Sequence, residues 1–258
     1  LAAGCSMADM ANIRQVESAW NDIKSILGKT VIVPITYVNS AANLKAFVGR
    51  HNGTCCTSSN AQKVLEWAFK QGERLFFFPD QHLGRNTCVN MGVDPDTAMA
   101  VWNPNEPRGG LTEDQIRSAR VYLWKGHCSV HARFTVKQIS DARATSPDVR
   151  VIVHPECSLD VVQAADLNGS TEYIIRQIEG SKPGSSWAVG TEINLVRRLQ
   201  SENPDKTITC LDPVVCPCST MYRVHPHYLL WSLENLRNGN IVNQVSVKPE
   251  IKTWARTA

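Results

Sequence analysis

The chain has 258 residues, of which 43% are hydrophobic and 20% charged, a composition typical of a globular protein with a substantial core. Its 27 Lys and Arg barely exceed its 24 Asp and Glu, and no basic cluster interleaves with aromatic residues, which argues against nucleic-acid binding. Apolar runs such as Leu75-Phe76-Phe77-Phe78 are far shorter than the roughly 20 residues of a membrane helix and predict buried strands. Nine cysteines, an odd number, favour free thiols in a reducing compartment, and we expect the cytoplasm.

The first half of the chain predicts alternating helices and buried strands. In chain order, the patterns predict a helix at 13–23, a strand at 31–37, helices at 41–48 and 61–70, and a strand at 75–79. The run Thr57-Ser58-Ser59-Asn60 stands directly before the third helix, where backbone N–H groups are open, so it is a candidate anion site. The segment 87–120 is rich in Gly and Pro and is interpreted as an irregular excursion over the surface.

A cysteine and a histidine come together in Gly126-His127-Cys128-Ser129-Val130-His131, ahead of a helical pattern that begins near Phe134. Open N–H groups at a helix start favour a thiolate, so Cys128 is a candidate metal ligand or activated nucleophile. A lone Cys-x-x-His is more often a buried thiol beside a structural histidine. Two further cysteines, Cys5 and Cys218, also stand ahead of predicted helices.

The second half of the chain repeats the order of the first. Helices are predicted up to Ala144 and at 159–165, 173–178 and 226–238, and strands at 149–153, 187–189 and 206–210. The spacing also recurs, since Tyr37 precedes Ser58 by 21 positions and His154 precedes Thr171 by 17. Two similar units, each beginning with a cysteine, predict a repeated α/β architecture with polar groups at strand ends, where such sheets bind ligands.

The three cysteines at helix starts lie 123 and 90 residues apart, so no local zinc-finger spacing unites them. A repeated architecture can still bring them to one centre, and three thiolates would suit an iron–sulfur cluster with one open iron that acts as a Lewis acid. For Cys216-x-Cys218 alone, a structural zinc site or plain loop thiols are equally good interpretations. His154-Pro155-Glu156 pairs a base or hydrogen-bond donor with a carboxylate, although a surface turn without a catalytic role is the plainer alternative.

Nine short motifs occur in a single order from one end of the chain to the other. They are Gly4-Cys5-Ser6-Met7-Ala8, Tyr37-Val38-Asn39-Ser40, Cys56-Thr57-Ser58-Ser59-Asn60-Ala61, Phe78-Pro79-Asp80 with Leu83-Gly84 and Asn86 nearby, Gly126-His127-Cys128-Ser129-Val130-His131, His154-Pro155-Glu156, Gly169-Ser170-Thr171, Gly190-Thr191-Glu192 and Cys218-Ser219-Thr220-Met221. In these motifs and their order the chain resembles quinolinate synthase, an iron–sulfur transferase of NAD (pyridine nucleotide) biosynthesis. So many motifs in one order make the resemblance highly specific.

The resemblance implies an α/β fold of repeated Rossmann-like α/β/α domains in a pseudo-threefold arrangement. Each domain would give one cysteine to a [4Fe–4S] cluster, and the ligands carried over are Cys5, Cys128 and Cys218. The implied substrate contacts come from Tyr37, Asn39, Ser58, His131, His154, Glu156, Ser170, Thr171 and Met221. The implied domains are 1–5 as a remnant of the first, 6–124 as the second, 125–212 as the third, and 213–258 as a segment that packs back on the first.

The activity implied is the condensation of iminoaspartate with dihydroxyacetone phosphate to quinolinate, with loss of phosphate and water. Glu156 would be the acid/base, with His154, His131 and Tyr37 orienting the intermediates. Ser58 and Thr171 would hold carboxylate or phosphate oxygens. A functional link to an aspartate oxidase is expected, and neither nucleic acid nor membrane is an expected partner.

The family has a further segment ahead of Cys5, with a His-x-Tyr pair and a serine that complete its site. We therefore expect the chain to be N-terminally truncated, its first domain largely missing, and residues 1–258 alone to be inactive. Two rival interpretations stay open, a non-enzymatic iron–sulfur or zinc-binding module and a Cys/His/Glu thiol hydrolase built on Cys128 and His131. Substitution of each cysteine in turn separates them, because the hydrolase needs only one of the three.

Overall fold

A computed structural model describes residues 4–214 and 217–258. Its α-helices are α1 Ile13–Leu27, α2 Ala42–Arg50, α3 Ala61–Gln71, α4 Gln81–Asn90, α5 Glu113–Ser118, α6 Val136–Thr145, α7 Leu159–Ala164, α8 Thr171–Glu179, α9 Ile193–Glu202, α10 Pro226–Arg237 and α11 Pro249–Ala255. Its strands are β1 Ile32–Tyr37, β2 Thr54–Cys56, β3 Arg74–Phe78, β4 Met99–Trp102, β5 Val121–Trp124, β6 Arg150–Val153, β7 Leu167–Asn168, β8 Ser186–Gly190 and β9 Thr207–Cys210. Residues 1–3 of the expected 1–5 remnant and Cys216 of the Cys216-x-Cys218 pair lie outside the described residues.

The strands form two parallel sheets, with orders β2-β1-β3-β5-β4 and β7-β6-β8-β9. The first is covered on both faces, because alternate side chains of one strand join different cores. Phe76 and Phe78 pack with α1 and α2, whereas Leu75 and Phe77 pack with α3 and α4. Burial on both faces explains why β3 is a continuous apolar run and not an alternating one. The predicted α/β class with repeated parallel sheets is confirmed.

The two sheets share one strand order, since β2-β1-β3-β5 corresponds to β7-β6-β8-β9. In both units a helix links each strand to the next along the chain, as parallel pairing requires. The strands therefore end on one edge of each sheet, and the polar motifs found in the sequence follow those ends. This is the edge at which open α/β sheets bind ligands.

A shared local structure follows each of Cys5, Cys128 and Cys218. Each cysteine precedes a serine, and a 3-10 helix begins three positions after the cysteine, at Ala8–Met10, His131–Arg133 and Met221–Arg223. The cysteine carbonyl accepts the N–H of the fourth residue on, at 3.2 Å from Asp9, 2.9 Å from Ala132 and 2.9 Å from Tyr222. An α-helix starts eight positions after each cysteine, as α1, α6 and α10. The three cysteines thus occupy equivalent settings.

The segment 87–120 is not an irregular excursion, and that interpretation is wrong. It contains the end of α4, the edge strand β4, which pairs in parallel with β5, and the helix α5 with a capping box at Thr112. Trp102 is only 3% exposed, and the ring packs against Gly109, where a Cβ would overlap it. The Gly and Pro residues mark tight turns between short elements, and strands of four residues give little periodicity to read.

The described part of the C-terminal segment after Asp212 contains two α-helices in different surroundings. The helix α11 packs against α2, and Arg50 on α2 forms an ion pair with Glu250 at 2.6 Å. The other helix, α10, has no buried residue and exposes the apolar side chains of Tyr228, Leu229, Leu230, Trp231, Leu233 and Leu236. All helices within the described residues are too short or too polar to cross a bilayer.

Gly49 permits the close crossing of α2 and α11, since a Cβ there would overlap the carbonyl oxygen of Trp254. We expect Gly49→Val to push α11 off α2 and to lower the free energy of unfolding by about 1–3 kcal/mol, the usual cost of overpacking. Urea denaturation measures the loss, and limited proteolysis should show new cleavage between α10 and α11. Unchanged stability together with an unchanged digest would contradict the contact.

Candidate active site

The polar strand ends of both units face one cavity of about 650 Å³. Tyr37 and Asn39 reach it from the end of β1, and His154 and Glu156 from the end of β6. Ten of the twelve site residues predicted from the sequence line this cavity, namely Cys5, Tyr37, Asn39, Cys128, His131, His154, Glu156, Thr171, Cys218 and Met221. The geometry brings these residues together, whereas the roles assigned to them stay predictions.

Three cysteines line the cavity, and they are the three in equivalent settings: Cys5, Cys128 and Cys218. All three are partly exposed and free, so their sulfurs can reach a bound group. The remaining described cysteines do not line it, and Cys56, Cys88 and Cys157 are fully buried. A donor set of three accessible thiols on one cavity fits a thiolate-ligated metal group.

Local backbone N–H groups lower the pKa of the Cys5 and Cys218 thiols against the effect of burial, to different degrees. Burial raises the pKa of Cys5, and the backbone N–H groups of Ala8 and Met7 offset part of this effect. Burial also raises the pKa of Cys218, but the hydroxyl of Thr220, 3.2 Å from the sulfur, and the backbone N–H groups of Met221 and Thr220 leave it below its usual value. Open N–H groups at the start of a 3-10 helix therefore contact the sulfur, which is the effect predicted for a cysteine at a helix start.

His131 lies between Cys128 and Glu156. Its Nδ1 is 2.8 Å from Oε2 of Glu156, and its Nε2 is 3.3 Å from the hydroxyl of Thr191. One ligand atom from each of Cys128, His131 and Glu156 lies within 4.8 Å of the others, so the three could also hold a metal ion. Burial alone would lower the pKa of His131, but its hydrogen bonds to Cys128 and Glu156 raise it. Burial alone would raise the pKa of Glu156, but the hydrogen bond from His131, the neighbouring His154 and the charge of His131 keep it low. His131 and Glu156 therefore form a pair of an imidazolium and a carboxylate.

His154 is held neutral beside this ion pair. Burial and the charge of His131 lower the pKa of His154 to about 3. The two imidazole rings stack, with centroids 4.4 Å apart and planes at 16°. Nδ1 of His154 accepts the backbone N–H of Glu156 at 3.3 Å, so the single ring proton belongs on Nε2. His154 therefore presents a neutral N–H donor within a buried, charged site.

Tyr37 connects the two units at the floor of the cavity. Burial raises the pKa of its hydroxyl far above the usual value, and the nearby carboxylate of Glu156 raises it further. Ser58 lowers the pKa of Tyr37 in part, so the hydroxyl lies near both Glu156 and Ser58. Tyr37 is therefore protonated at neutral pH and can donate to the carboxylate or to a ligand.

Two predicted site residues, Ser58 and Ser170, do not line the cavity. Ser58 contacts Tyr37, so it lies one residue behind the wall. Ser170 is the N-cap of α8, and its hydroxyl accepts the backbone N–H of Tyr173 at 3.3 Å. The neighbouring Thr171 is exposed and lines the cavity at the first turn of the same helix, where N–H groups are open.

The sequence prediction missed several residues of the cavity wall, among them Thr191, Glu192, Asn194 and Arg198. Oε1 of Glu192 accepts the side-chain N–H of Asn194 at 2.9 Å and the backbone N–H of Cys218 at 3.4 Å, so it ties two walls together. A signal existed, because Gly190-Thr191-Glu192 follows a buried strand as Asp80 follows β3. Each acid caps the next helix, Asp80 that of α4 and Glu192 that of α9.

Comparison with known proteins gives a consistent result over the whole chain. The family model described as "NadA: Quinolinate synthetase A protein" matches residues 1–258. A quinolinate synthase of Corynebacterium glutamicum is 58% identical over 258 residues, which cover 100% of this chain and 65% of that protein. A quinolinate synthase of Rhodopirellula baltica is 52% identical over 259 residues, covering 100% of this chain and 66% of the relative. One from Geobacillus sp. (strain WCH70) is 57% identical over 256 residues, covering 99% and 69%.

The chain spans about two thirds of the length of these curated relatives. The match to the family model nevertheless extends over every residue of the chain, including the three cysteines and the residues of the cavity. The chain therefore belongs to the quinolinate synthetase A family.

Proposed function

We propose that this chain carries the active site of a quinolinate synthase, which condenses iminoaspartate with dihydroxyacetone phosphate to quinolinate with loss of phosphate and water. The observation that carries the proposal is the meeting of three equivalent, accessible cysteines with His131, His154, Glu156 and Tyr37 on one cavity. The relatives that match the chain bear the name of this enzyme. The two substrates together carry two carboxylates and a phosphate, which suit a cavity lined by hydroxyl and N–H donors.

The cofactor proposed is a [4Fe–4S] cluster held by Cys5, Cys128 and Cys218. The donor set fits, because three partly exposed thiols face the cavity and the Cys216-Cys218 zinc alternative would use only one of them. Such a group supplies a Lewis acid at the iron without a protein ligand, which polarises oxygens of the substrate. Met221, 55% exposed and three residues after Cys218, lines the same cavity and would lie beside the proposed group.

The chain's own residues would move and hold protons. Glu156 is a carboxylate within reach of His131 and Tyr37, so it can take a proton from the substrate and return it during loss of water. His131 stabilises the carboxylate as an ion pair. His154 offers a neutral N–H and Tyr37 a neutral O–H, and such fixed donors stabilise oxygen atoms that gain negative charge during the reaction.

The anionic groups of the substrates would lie near helix starts. Thr171 lines the cavity at the first turn of α8, and Ser58 stands shortly before α3 and contacts Tyr37. Backbone N–H groups and the helix dipole favour carboxylate and phosphate at such positions. Asn39, exposed at the end of β1, would add an amide at the rim.

We propose domains at 6–124 and 125–212, supported by the two separate sheets whose last strands end at Trp124 and Cys210. The segments 1–5 and 213–258 are assigned to a first domain, as remnant and as returning segment. The exposed apolar face of α10 supports this assignment for its part of the segment, because such a face is normally covered. The helix α11 contacts α2, so its part of the segment would also pack on the proposed second domain.

The partners proposed are the two small-molecule substrates, with an aspartate oxidase as the source of iminoaspartate. We propose the cytoplasm as the compartment, since all eight cysteines within the described residues are free.

The test of the proposed function is quinolinate formation. The chain is prepared without oxygen, both alone and as an extended protein, in which it is joined to the part of the Corynebacterium glutamicum relative outside the matched region. Each is supplied with aspartate, an aspartate oxidase and dihydroxyacetone phosphate, and quinolinate is measured by chromatography. Formation by the extended protein supports the proposal, and its absence from both cluster-loaded proteins would rule it out.

A thiol hydrolase is the second candidate, because His131 lies between Cys128 and Glu156 in the order of a nucleophile, a base and an orienting acid. This activity would need neither Cys5 nor Cys218. Ester hydrolysis that survives serine at both of these positions and disappears in Cys128→Ser would favour it.

A further inference from the structure

Asn86 joins the two sheet units at the turn that carries Glu156. It lies on α4 of the first unit, is 1% exposed, and its side-chain nitrogen donates to the carbonyl oxygens of Pro155 and Cys157, at 2.8 Å each. These two residues flank Glu156 in the second unit. A single amide therefore holds the backbone on both sides of the proposed acid/base.

The orientation of this amide follows from its partners. Both partners are carbonyl oxygens, so the NH2 group must face them, and both of its hydrogens are used. The other end of the amide, Oδ1, is buried without a hydrogen-bond partner among the residues that the structure describes. Leaving a buried acceptor unpaired costs about 1–3 kcal/mol. The hydrogen bonds of the Asn86 side chain that the structure shows are therefore both made to this one turn.

The backbone hydrogen bonds of the turn come from the second unit itself. The backbone N–H of His154 donates to the carbonyl of Gly190 at 3.0 Å, and that of Cys157 donates to the carbonyl of His154 at 3.0 Å. These bonds fix the shape of the turn relative to its own sheet. They do not fix it relative to Tyr37, which belongs to the first unit and lines the same cavity as Glu156.

We propose that Asn86 is a positioning residue that holds the Pro155–Cys157 turn against the first unit and so sets the Glu156 carboxylate against Tyr37. The predicted effect of Asn86 on turnover rests on the proposed function. The predicted effect of Asn86 on the structure of the turn does not. Asn86 does not line the cavity, so it acts through Glu156 and not on the substrate.

Two substitutions test the contact of Asn86 with the Pro155–Cys157 turn by different means. Asn86→Ala removes both donors, and Asn86→Asp keeps the shape but sets a carboxylate against two carbonyls. We expect the kcat of the extended protein to fall by about 10- to 100-fold in both, with a small change in KM, since misplacement of about 1 Å costs on this scale. Asn203→Ala is the control, because Asn203 is also a buried asparagine whose side-chain nitrogen donates to a backbone carbonyl, and it does not line the cavity.

A double-mutant cycle identifies the route of the effect. If Asn86 acts through Glu156, then Asn86→Ala should cost less than about twofold in a Glu156→Gln background, because non-additivity marks coupled residues. A full loss in that background would overturn the proposal. Wild-type kcat in both Asn86 variants would overturn it as well.

Hydrogen exchange measured by mass spectrometry gives a readout that needs no activity. In the chain as it stands, Asn86→Ala should speed exchange about tenfold or more in peptides covering residues 154–158, and Asn203→Ala should leave those peptides unchanged. Unaltered exchange in the Asn86→Ala variant would overturn the proposal that Asn86 holds the turn. If the wild-type protein makes no quinolinate, the proposed function fails. Hydrogen exchange alone then decides whether Asn86 holds the Pro155–Cys157 turn.

Discussion

Serine at Cys5, Cys128 or Cys218 is expected to abolish assembly of the iron–sulfur cluster in each of the three single variants. Protein made without oxygen should be brown and contain about four irons and four sulfides per chain, because three thiolates hold such a cluster and leave one iron open. Each cysteine supplies one corner, and a serine hydroxyl is a poor substitute for a thiolate as an iron ligand. Iron and sulfide analysis and the visible absorption spectrum measure the loss.

Cys88→Ser and Cys157→Ser are the matched controls, since both cysteines are fully buried and neither lines the cavity. Both variants should retain iron and sulfide at wild-type levels. The same set separates the rival functions, because a hydrolase would survive changes at Cys5 and Cys218. Stoichiometric zinc without sulfide in the wild-type protein would end the iron–sulfur assignment.

The strands and helices that could be predicted are those with strong local signals. The strand β1 is an apolar run between a glycine that ends α1 and the polar group at Asn39, and the structure places it within one residue of the prediction. The helix α3 begins at the predicted position, directly after the run of capping residues. In both cases neighbouring residues alone determine the element.

Two of the strands that escaped prediction depend on contacts across the sheet. The strands β2 and β7 have three and two residues, too few to show a period, and they form because a parallel neighbour satisfies their backbone groups. The helix α9 begins directly after the strand β8, with Glu192 as its cap, and was not predicted at all. Arg198, which α9 carries to the cavity, was therefore missed with it.

The candidate site was predictable in its parts but not in its connections. Polar groups after strands, such as Tyr37 and Glu156, could be found because strand ends share one edge of a sheet. The contact of Tyr37 with Glu156 joins residues from different sheets, and no spacing along the chain reports it. The bond from Asn86 to the Glu156 turn likewise spans the two units. Ser170 shows the opposite error, since its hydroxyl is used to cap α8.

Replacing Glu156 by glutamine should lower turnover of the extended protein by ~10² or more while the cluster persists. Glutamine keeps the size of the side chain but cannot ionise, so it neither takes a proton from the substrate nor pairs with the imidazolium of His131. Its amide can still contact His131 and Tyr37, so we expect the fold and the iron content to be retained. The measurements are quinolinate formation rate, iron and sulfide content, and thermal unfolding.

Glu172→Gln is the matched control, because Glu172 lies on the exposed face of α8 in a surface ion pair with Arg176. Its turnover should equal that of the wild type, since exposed pairs contribute little. Undiminished quinolinate formation in Glu156→Gln would remove Glu156 from the chemistry. His154→Ala would then test the remaining polar group of the same turn, because His154 presents an N–H donor to the cavity and needs no carboxylate partner to do so. A loss confined to His154→Ala would assign the essential contact to hydrogen bonding from His154, and the acid/base step to a group outside the Pro155–Cys157 turn.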